Sequence, residues 1–256
     1  MTQLDIVQIP VLNDNYIYLA HEATSGATAV IDPAVAGPVL EAAASRGWTI
    51  THIINTHYHG DHTGGNLEIK EKTGCTIIGS RIESDRTPGI DQEVSDGDHI
   101  KIGNAPCIVF DVPGHTEGHI AFWFEESDAL FCGDTLFALG CGRIFEGSPL
   151  EMWTSLSKLK VLPGSTKVFC AHEYTQANAK FALSVEPDNA ALVARSKEID
   201  EMRLKGIPTV PSTLAQELAT NPFLRPDSED LQRTIGMSGG AIVDVFAETR
   251  KRKNNF

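Results

Sequence analysis

Long apolar runs are missing from this chain of 256 residues. None approaches the roughly 20 apolar residues that a helix needs to cross a bilayer. The start, Met1-Thr2-Gln3-Leu4-Asp5, has neither the basic residues nor the following apolar stretch of an export signal. Cysteine is sparse and unpaired in pattern. Cys75, Cys107, Cys132, Cys141 and Cys170 are odd in number and form no C-x-x-C, which argues against a disulfide framework and for reduced thiols in the cytoplasm. Positive charge is in deficit, with 21 Lys and Arg against 34 Asp and Glu. A net charge of −13 argues against a general nucleic-acid binder, which needs a basic face. The expectation is a cytoplasmic monomer with no nucleic-acid or membrane partner.

What is present suits a sizeable core. Hydrophobic residues are 41% of the chain, enough to fill one large domain, or one domain with a smaller addition. The first two-thirds alternate strand and helix signals. Strands are expected at 5–9, 16–20, 28–31, 50–55, 76–79, 108–112, 120–124, 129–132 and 167–171. Helices are expected at 37–46, stopped by Gly47, at 65–72, and at 149–162 with Ser148 as N-cap. Residues 84–98 read as a polar loop. Beyond about residue 173 the texture turns helical, at 175–185, 189–205, 212–219 and 239–252. The expected organisation is an α/β catalytic domain over 1–173 and a helical domain over 174–256.

One run stands apart: Thr56-His57-Tyr58-His59-Gly60-Asp61-His62. Packing gives no reason for three imidazoles and a carboxylate so close together, whereas divalent metal ions need several N and O ligands at short range. The run follows the β-branched strand 50–55, at a strand end where α/β proteins place their chemistry. His57 and His59 are two apart, so in extended chain they share a face, and Gly60 permits a sharp reversal before Asp61 and His62. Further ligand candidates follow later strands: His115 after 108–112, Asp134 after 129–132 and His172 after 167–171. Five of the seven are His, which suits zinc, iron or manganese better than calcium or magnesium. The two oxygens of Asp134 would allow it to bridge two ions. His21, His52 and His99 lack a strand-end position and read as structural; His119 begins a strand and reads at most as a supporting residue.

T-H-x-H-x-D-H, then Gly114-His115-Thr116-Glu117-Gly118-His119, then Gly133-Asp134-Thr135, then a late His after a strand, resembles the metallo-β-lactamase superfamily. That resemblance implies a four-layer α/β/β/α sandwich with two divalent metal ions, zinc foremost. It assigns His57, His59 and His115 to one ion, Asp61, His62 and His172 to the other, and Asp134 to both. Asn13-Asp14-Asn15-Tyr16, Cys141-Gly142-Arg143-Ile144-Phe145-Glu146-Gly147, His172-Glu173-Tyr174-Thr175, Asn221-Pro222-Phe223-Leu224-Arg225 and Arg250-x-x-Lys253 narrow the resemblance to the hydroxyacylglutathione hydrolase (glyoxalase II) family over essentially the whole chain. It implies a helical C-terminal glutathione-binding part, with Arg143, Tyr174, Arg250 and Lys253 contacting substrate. Phe145 stands where some members carry Tyr, so a ring or backbone contact replaces any hydroxyl bond.

The implied reaction is hydrolysis of S-(2-hydroxyacyl)glutathione, typically S-D-lactoylglutathione, to D-lactate and glutathione in methylglyoxal detoxification. A hydroxide bridging the two metals is the expected nucleophile, with Asp61 orienting it as well as binding metal. The terminal cations fit this reading, because glutathione carries two carboxylates and Arg matches carboxylate geometry. A mononuclear-iron persulfide dioxygenase of the same fold is the main alternative. A β-lactamase, an RNA-processing nuclease and a non-catalytic metal-binding module are the others.

Overall fold

A computed structural model describes residues 2–256. The chain forms two compact units: one runs to Asp111 and includes Glu117–Gly133, the other joins Val112–Thr116 to Asp134–Phe256. Residues 134–172, whose texture reads as part of the α/β region, therefore pack with the C-terminal helices.

The first unit holds β1 (Leu4–Val11), β2 (Asn15–Glu22), β3 (Ala27–Ile31), α1 (Gly37–Arg46), β4 (Thr49–Ile54), α2 (Gly60–Thr63), α3 (Asn66–Thr73), β5 (Thr76–Ser80), β6 (Gln92–Val94), β7 (His99–Ile102), β8 (Ala105–Asp111), β9 (Ile120–Phe124) and β10 (Ala129–Gly133). β1 to β6 make one sheet in sequence order, antiparallel over β1–β3 and parallel from β3 onward. β7 to β10 form an antiparallel meander. Alternation along β2 explains the layering. Ile17 and Leu19 enter an apolar cluster with Val39 and Ala43 of α1 and Ile69 of α3. On the opposite face, Tyr18 meets Phe131 of β10, with ring centroids 5.6 Å apart. Helix α1 ends where the sequence says it should: Gly47 takes φ 67° and its N–H caps the Ala43 and Ala44 carbonyls.

The second unit holds β11 (Leu136–Phe137), β12 (Gly140–Cys141), α4 (Pro149–Leu159), β13 (Lys167–Cys170), α5 (Thr175–Val185), α6 (Ala190–Leu204), β14 (Ser212–Thr213), α7 (Leu214–Thr220), α8 (Glu229–Ile235) and α9 (Ile242–Asn254). Ser148 caps α4 in a reciprocal capping box with Glu151. α5 and α6 pack through Ala179, Ala182, Leu192 and Ile199, with Leu139 in the same cluster. Phe246 of α9 packs on Phe223 and Trp153, with centroids 6.0 and 5.9 Å away.

The sequence reading placed the longer elements to within a few residues and passed over several short ones. β6 lies in the stretch read as a polar loop; it is an edge strand held by parallel pairing of Ile78 with Gln92, and backbone pairing leaves little mark on residue type. β14 occupies the start of a stretch read as helix, where Ser212 and Thr213 pair with Val168 and Lys167 before Thr213 caps α7. For α8 the signal was present: Ser228 as N-cap, Glu229 and Asp230 in the first turn, and Gly236 after the end.

A buried polar knot in the second unit sets a stability expectation. Glu217, fully buried, accepts from the Leu139 N–H at 2.8 Å, from the Asn221 side chain at 3.1 Å and from the Arg195 guanidinium. Glu217→Ala leaves the Arg195 charge buried without this partner. The expected loss is about 3–5 kcal/mol, read as a lower midpoint in denaturant unfolding.

Candidate metal centre and adjoining cavity

In the first unit the histidine run leaves β4 and is tied down at once. The Asn55 amide donates to the His62 carbonyl at 3.0 Å and accepts from Asn66 at 2.8 Å, both contacts being buried. The chain then turns into the four-residue helix α2, which carries Asp61 and His62. His57 Nε2 and His59 Nδ1 come to 2.9 Å, as their shared face requires. Ligand atoms each about 2 Å from one ion sit about 3 Å apart, so the pair has the spacing of two ligands on a single metal.

Asp32, immediately after β3, fixes two of these rings. Its Oδ1 accepts from the Thr56 N–H at 2.8 Å and its Oδ2 from the Thr56 hydroxyl at 2.7 Å. Oδ2 also lies 3.1 Å from His62 Nδ1. A carboxylate only accepts, so His62 carries its proton on Nδ1 and presents a bare Nε2. The Thr56 hydroxyl has given its hydrogen to Asp32, so its oxygen, 3.1 Å from His57 Nδ1, accepts there and leaves His57 Nε2 bare. His119 is buried and stacks on the His57 ring at 4.6 Å, a supporting position. Gly133 has φ 48°, and a Cβ there would stand 2.2 Å from Thr56 Oγ1 and 2.9 Å from His119 Nε2. Only glycine lets the backbone pass so close to these two groups.

In the second unit Asp134 stands between two histidines. Its Oδ2 is 3.5 Å from His115 Nε2 and its Oδ1 is 3.4 Å from His172 Nε2. The Arg143 carbonyl, 2.9 Å from His115 Nδ1, holds the proton there and bares Nε2. Gly142 makes this approach possible, since a Cβ would fall 2.0 Å from the Asp134 carbonyl oxygen. Bare nitrogen thus faces carboxylate oxygen in both units: His115 against Asp134, and His62 Nε2 against Asp61 Oδ2 at 3.7 Å. Acceptor against acceptor is unfavourable unless positive charge lies between. Imidazole and carboxylate donors in this arrangement fit divalent metal ions.

A cavity of about 470 Å³ in the second unit adjoins His115 and Asp134. Arg143, Phe145, Tyr174, Arg250 and Lys253 line it. Phe145 is 61% exposed, with its ring 5.1 Å from that of His115. Tyr174 stacks on His172 at 4.8 Å with an interplanar angle of 2°. The basic run on α9 divides as helical geometry dictates: Arg250 and Lys253, three apart, line the cavity, and the Lys251 side chain is 75% exposed. Arg250 is buried and donates to the Cys141 carbonyl at 2.9 Å. Lys253 donates to the Ala177 carbonyl at 3.2 Å; burial, with Arg250 and Arg143 nearby, pulls its ammonium down to about 8.

Residues 11–172 match the metallo-β-lactamase superfamily, and residues 173–256 match the hydroxyacylglutathione hydrolase C-terminus. A hydroxyacylglutathione hydrolase of Methylococcus capsulatus is 60% identical over 253 residues, covering 99% of both chains. One from Rhodospirillum rubrum is 59% identical over 256 residues, the full length of both. The chain belongs to the hydroxyacylglutathione hydrolase family.

Its fold is accordingly the metallo-β-lactamase α/β fold with a helical C-terminal part. The crystal structure of ETHE1 from Myxococcus xanthus shares that fold, with a TM-score of 0.71 and 24% identity, over 98% of this chain and 91% of that one. Within this chain, the first unit brings together His57, His59, Asp61 and His62. The second brings together His115, Asp134 and His172 beside Arg143, Phe145, Tyr174, Arg250 and Lys253.

Asp32 was not legible as a site residue, because Asp-Pro reads simply as the end of a strand. Its place follows from parallel pairing of Ile31 with Ile54, which sets Asp32 beside the residues following β4. Removing it by Asp32→Ala frees both rings. We expect metal affinity to fall about 10–100-fold, measured by competition with a chromophoric chelator.

Proposed function

We propose that the chain hydrolyses S-(2-hydroxyacyl)glutathione, typically S-D-lactoylglutathione, to a 2-hydroxy acid and glutathione, as a step in methylglyoxal detoxification. The observation that carries this reading is the cavity beside His115 and Asp134, where three cations of a net-acidic protein gather. Two carboxylates on glutathione give them partners, while a neutral acyl thioester would leave them unused.

His57, His59 and His115 would hold one divalent ion and Asp61, His62 and His172 the other, with Asp134 shared between them. Zinc suits these donors foremost, and iron or manganese would also be accepted. Such ions, when bound, lower the pKa of water toward neutrality and polarise the thioester carbonyl. The residues do the rest. Asp61 and Asp134 would set the charge and position of the site, with Asp61 accepting a hydrogen bond from the attacking water and so orienting it. Arg143, Arg250 and Lys253 pair with the glutathione carboxylates; the faces of Phe145 and Tyr174 pack on its chain. The water oxygen adds to the thioester carbonyl carbon, the C–S bond then breaks, and the sulfur departs as a thiolate that needs no strong acid to leave and takes up the proton released by the water. Five buried thiols, none of them in a disulfide, suit a reducing compartment such as the cytoplasm.

Lys253 sets a pH dependence. Its ammonium is charged below about 8 and neutral above, so pairing with a carboxylate is fullest below that value and lost above it. KM for the glutathione thioester should rise as pH passes about 8, and Lys253→Arg, charged throughout, should flatten that limb.

Substrate choice is tested by comparing S-D-lactoylglutathione with the D-lactoyl thioester of N-acetylcysteamine, which lacks both carboxylates. The glutathione thioester should be favoured by about 100-fold in kcat/KM. Equal turnover of the two would contradict the assignment. Oxygen uptake with glutathione persulfide would point to the dioxygenase instead.

A further inference from the structure

The Asn13–Tyr16 segment enters none of the chemistry above, yet its third residue reaches a ligand. Asn15 opens β2, is paired across the turn with Val11, and is only 6% exposed. Its Nδ2 lies 3.1 Å from Asp61 Oδ2 and 3.3 Å from the Asp61 carbonyl oxygen. An amide nitrogen carries two hydrogens, so one group spans the main chain and the side chain of the same residue. That grip fixes the torsions joining the Asp61 carboxylate to its backbone.

Asp61 needs such a grip. It sits on the four-residue helix α2, and its side chain is 43% exposed, against 1% for His62 beside it. The oxygen that Asn15 holds, Oδ2, is also the one 3.7 Å from His62 Nε2, the bare ring nitrogen. The hydrogen bond thus turns toward His62 a carboxylate that stands partly in solvent. The strand supplies rigidity: Asn15 is buried and its backbone is hydrogen-bonded in the sheet, so little side-chain freedom remains to be lost.

We infer that Asn15 is a positioning residue for Asp61, holding its carboxylate where it shares an ion with His62. The inference rests on the dinuclear reading above and is independent of the thioester substrate. Exposed Asp carboxylates sample several rotamers, and each rotamer that points away weakens the site in proportion to its population. Of the ligands in the first unit, Asp61 is the one for which this matters most, since the His57 and His62 rings are buried and tied to the Asp32–Thr56 pair.

Asn15→Asp tests this with an isosteric change. It replaces the donating NH2 by an oxygen facing Asp61 Oδ2 and the Asp61 carbonyl, so attraction becomes repulsion. Asn15→Ala removes the donor without adding charge, and circular dichroism with thermal unfolding reports whether each variant folds. The readout is metal content by elemental analysis and chelator competition, with Asp61→Ala as reference. Wild type should bind two ions. Both Asn15 variants should lose about 10–100-fold in affinity for one of the two, as Asp61→Ala does, and retain the other. Excess metal should restore turnover in Asn15→Ala, which a general loss of structure would not allow. Folded Asn15 variants that bind both ions as tightly as wild type would overturn the inference. A wild-type protein that binds two ions but does not cleave glutathione thioesters would overturn the substrate assignment and leave this inference standing.

Discussion

Asp134→Ala should reduce hydrolysis of the glutathione thioester by about 10³-fold or more, with metal content falling in step. The reason lies in its two oxygens, one 3.5 Å from His115 Nε2 and the other 3.4 Å from His172 Nε2. Truncation removes the carboxylate that we propose both ions share and takes away the negative charge between two imidazoles. Asp134→Asn refines the test: shape is kept, but the charge is lost and one oxygen becomes an NH2 that cannot bind an ion. Its loss should approach that of the alanine variant. His57→Ala should be comparably severe, because the His57–His59 nitrogen pair at 2.9 Å is broken. Near-normal turnover by either Asp134→Ala or His57→Ala would sink the dinuclear mechanism.

Arg250→Ala combined with Lys253→Ala should act on a different quantity. Both residues line the cavity but neither holds a ligand, so the effect should fall on KM for glutathione thioesters, with kcat changed far less. Two charge-assisted contacts at about 1.5–3 kcal/mol each predict a loss of about 100-fold or more in kcat/KM. Arg250 also donates to the Cys141 carbonyl at 2.9 Å, so part of any effect could be packing. Lys253→Ala alone separates the two contributions, since its bond to the Ala177 carbonyl is exposed. If the double variant lost only stability and kept its KM, the α9 cations would be structural. The N-acetylcysteamine thioester supplies the internal control: lacking carboxylates, it should be indifferent to both substitutions.

Much of the candidate site is legible in the sequence, for a physical reason. Metal ligands are a residue-type signal: three imidazoles and a carboxylate within Thr56–His62 announce themselves by density alone. His115, Asp134 and His172 were legible because each follows a strand-like run, a position that pattern can find. Asp32 and Asn15 were not, because their roles depend on partners 24 to 46 residues away in sequence. Asp32 matters through the parallel register of β3 with β4, and Asn15 through the placement of β2 against the loop that carries Asp61; neither register is written in local residue type. The fold divides in the same way. α1, with Pro38 in its first turn and Gly47 after its end, carries its own start and stop signals and occurs at the expected position. β6 and β7 exist because a neighbouring backbone pairs with them, and were passed over. Composition alone does not divide the basic run at 250–253; the resemblance picks out Arg250 and Lys253, and the period of α9 puts those two on the cavity and Lys251 in solvent.

The most direct test measures metal and chemistry on one sample. Protein purified without chelator is analysed for its metals and then assayed with S-D-lactoylglutathione, following thiol release. The account predicts about two equivalents of divalent metal per chain, with release of glutathione and D-lactate that disappears on chelation and returns when metal is restored. Metal-replete protein that leaves S-D-lactoylglutathione intact would contradict it.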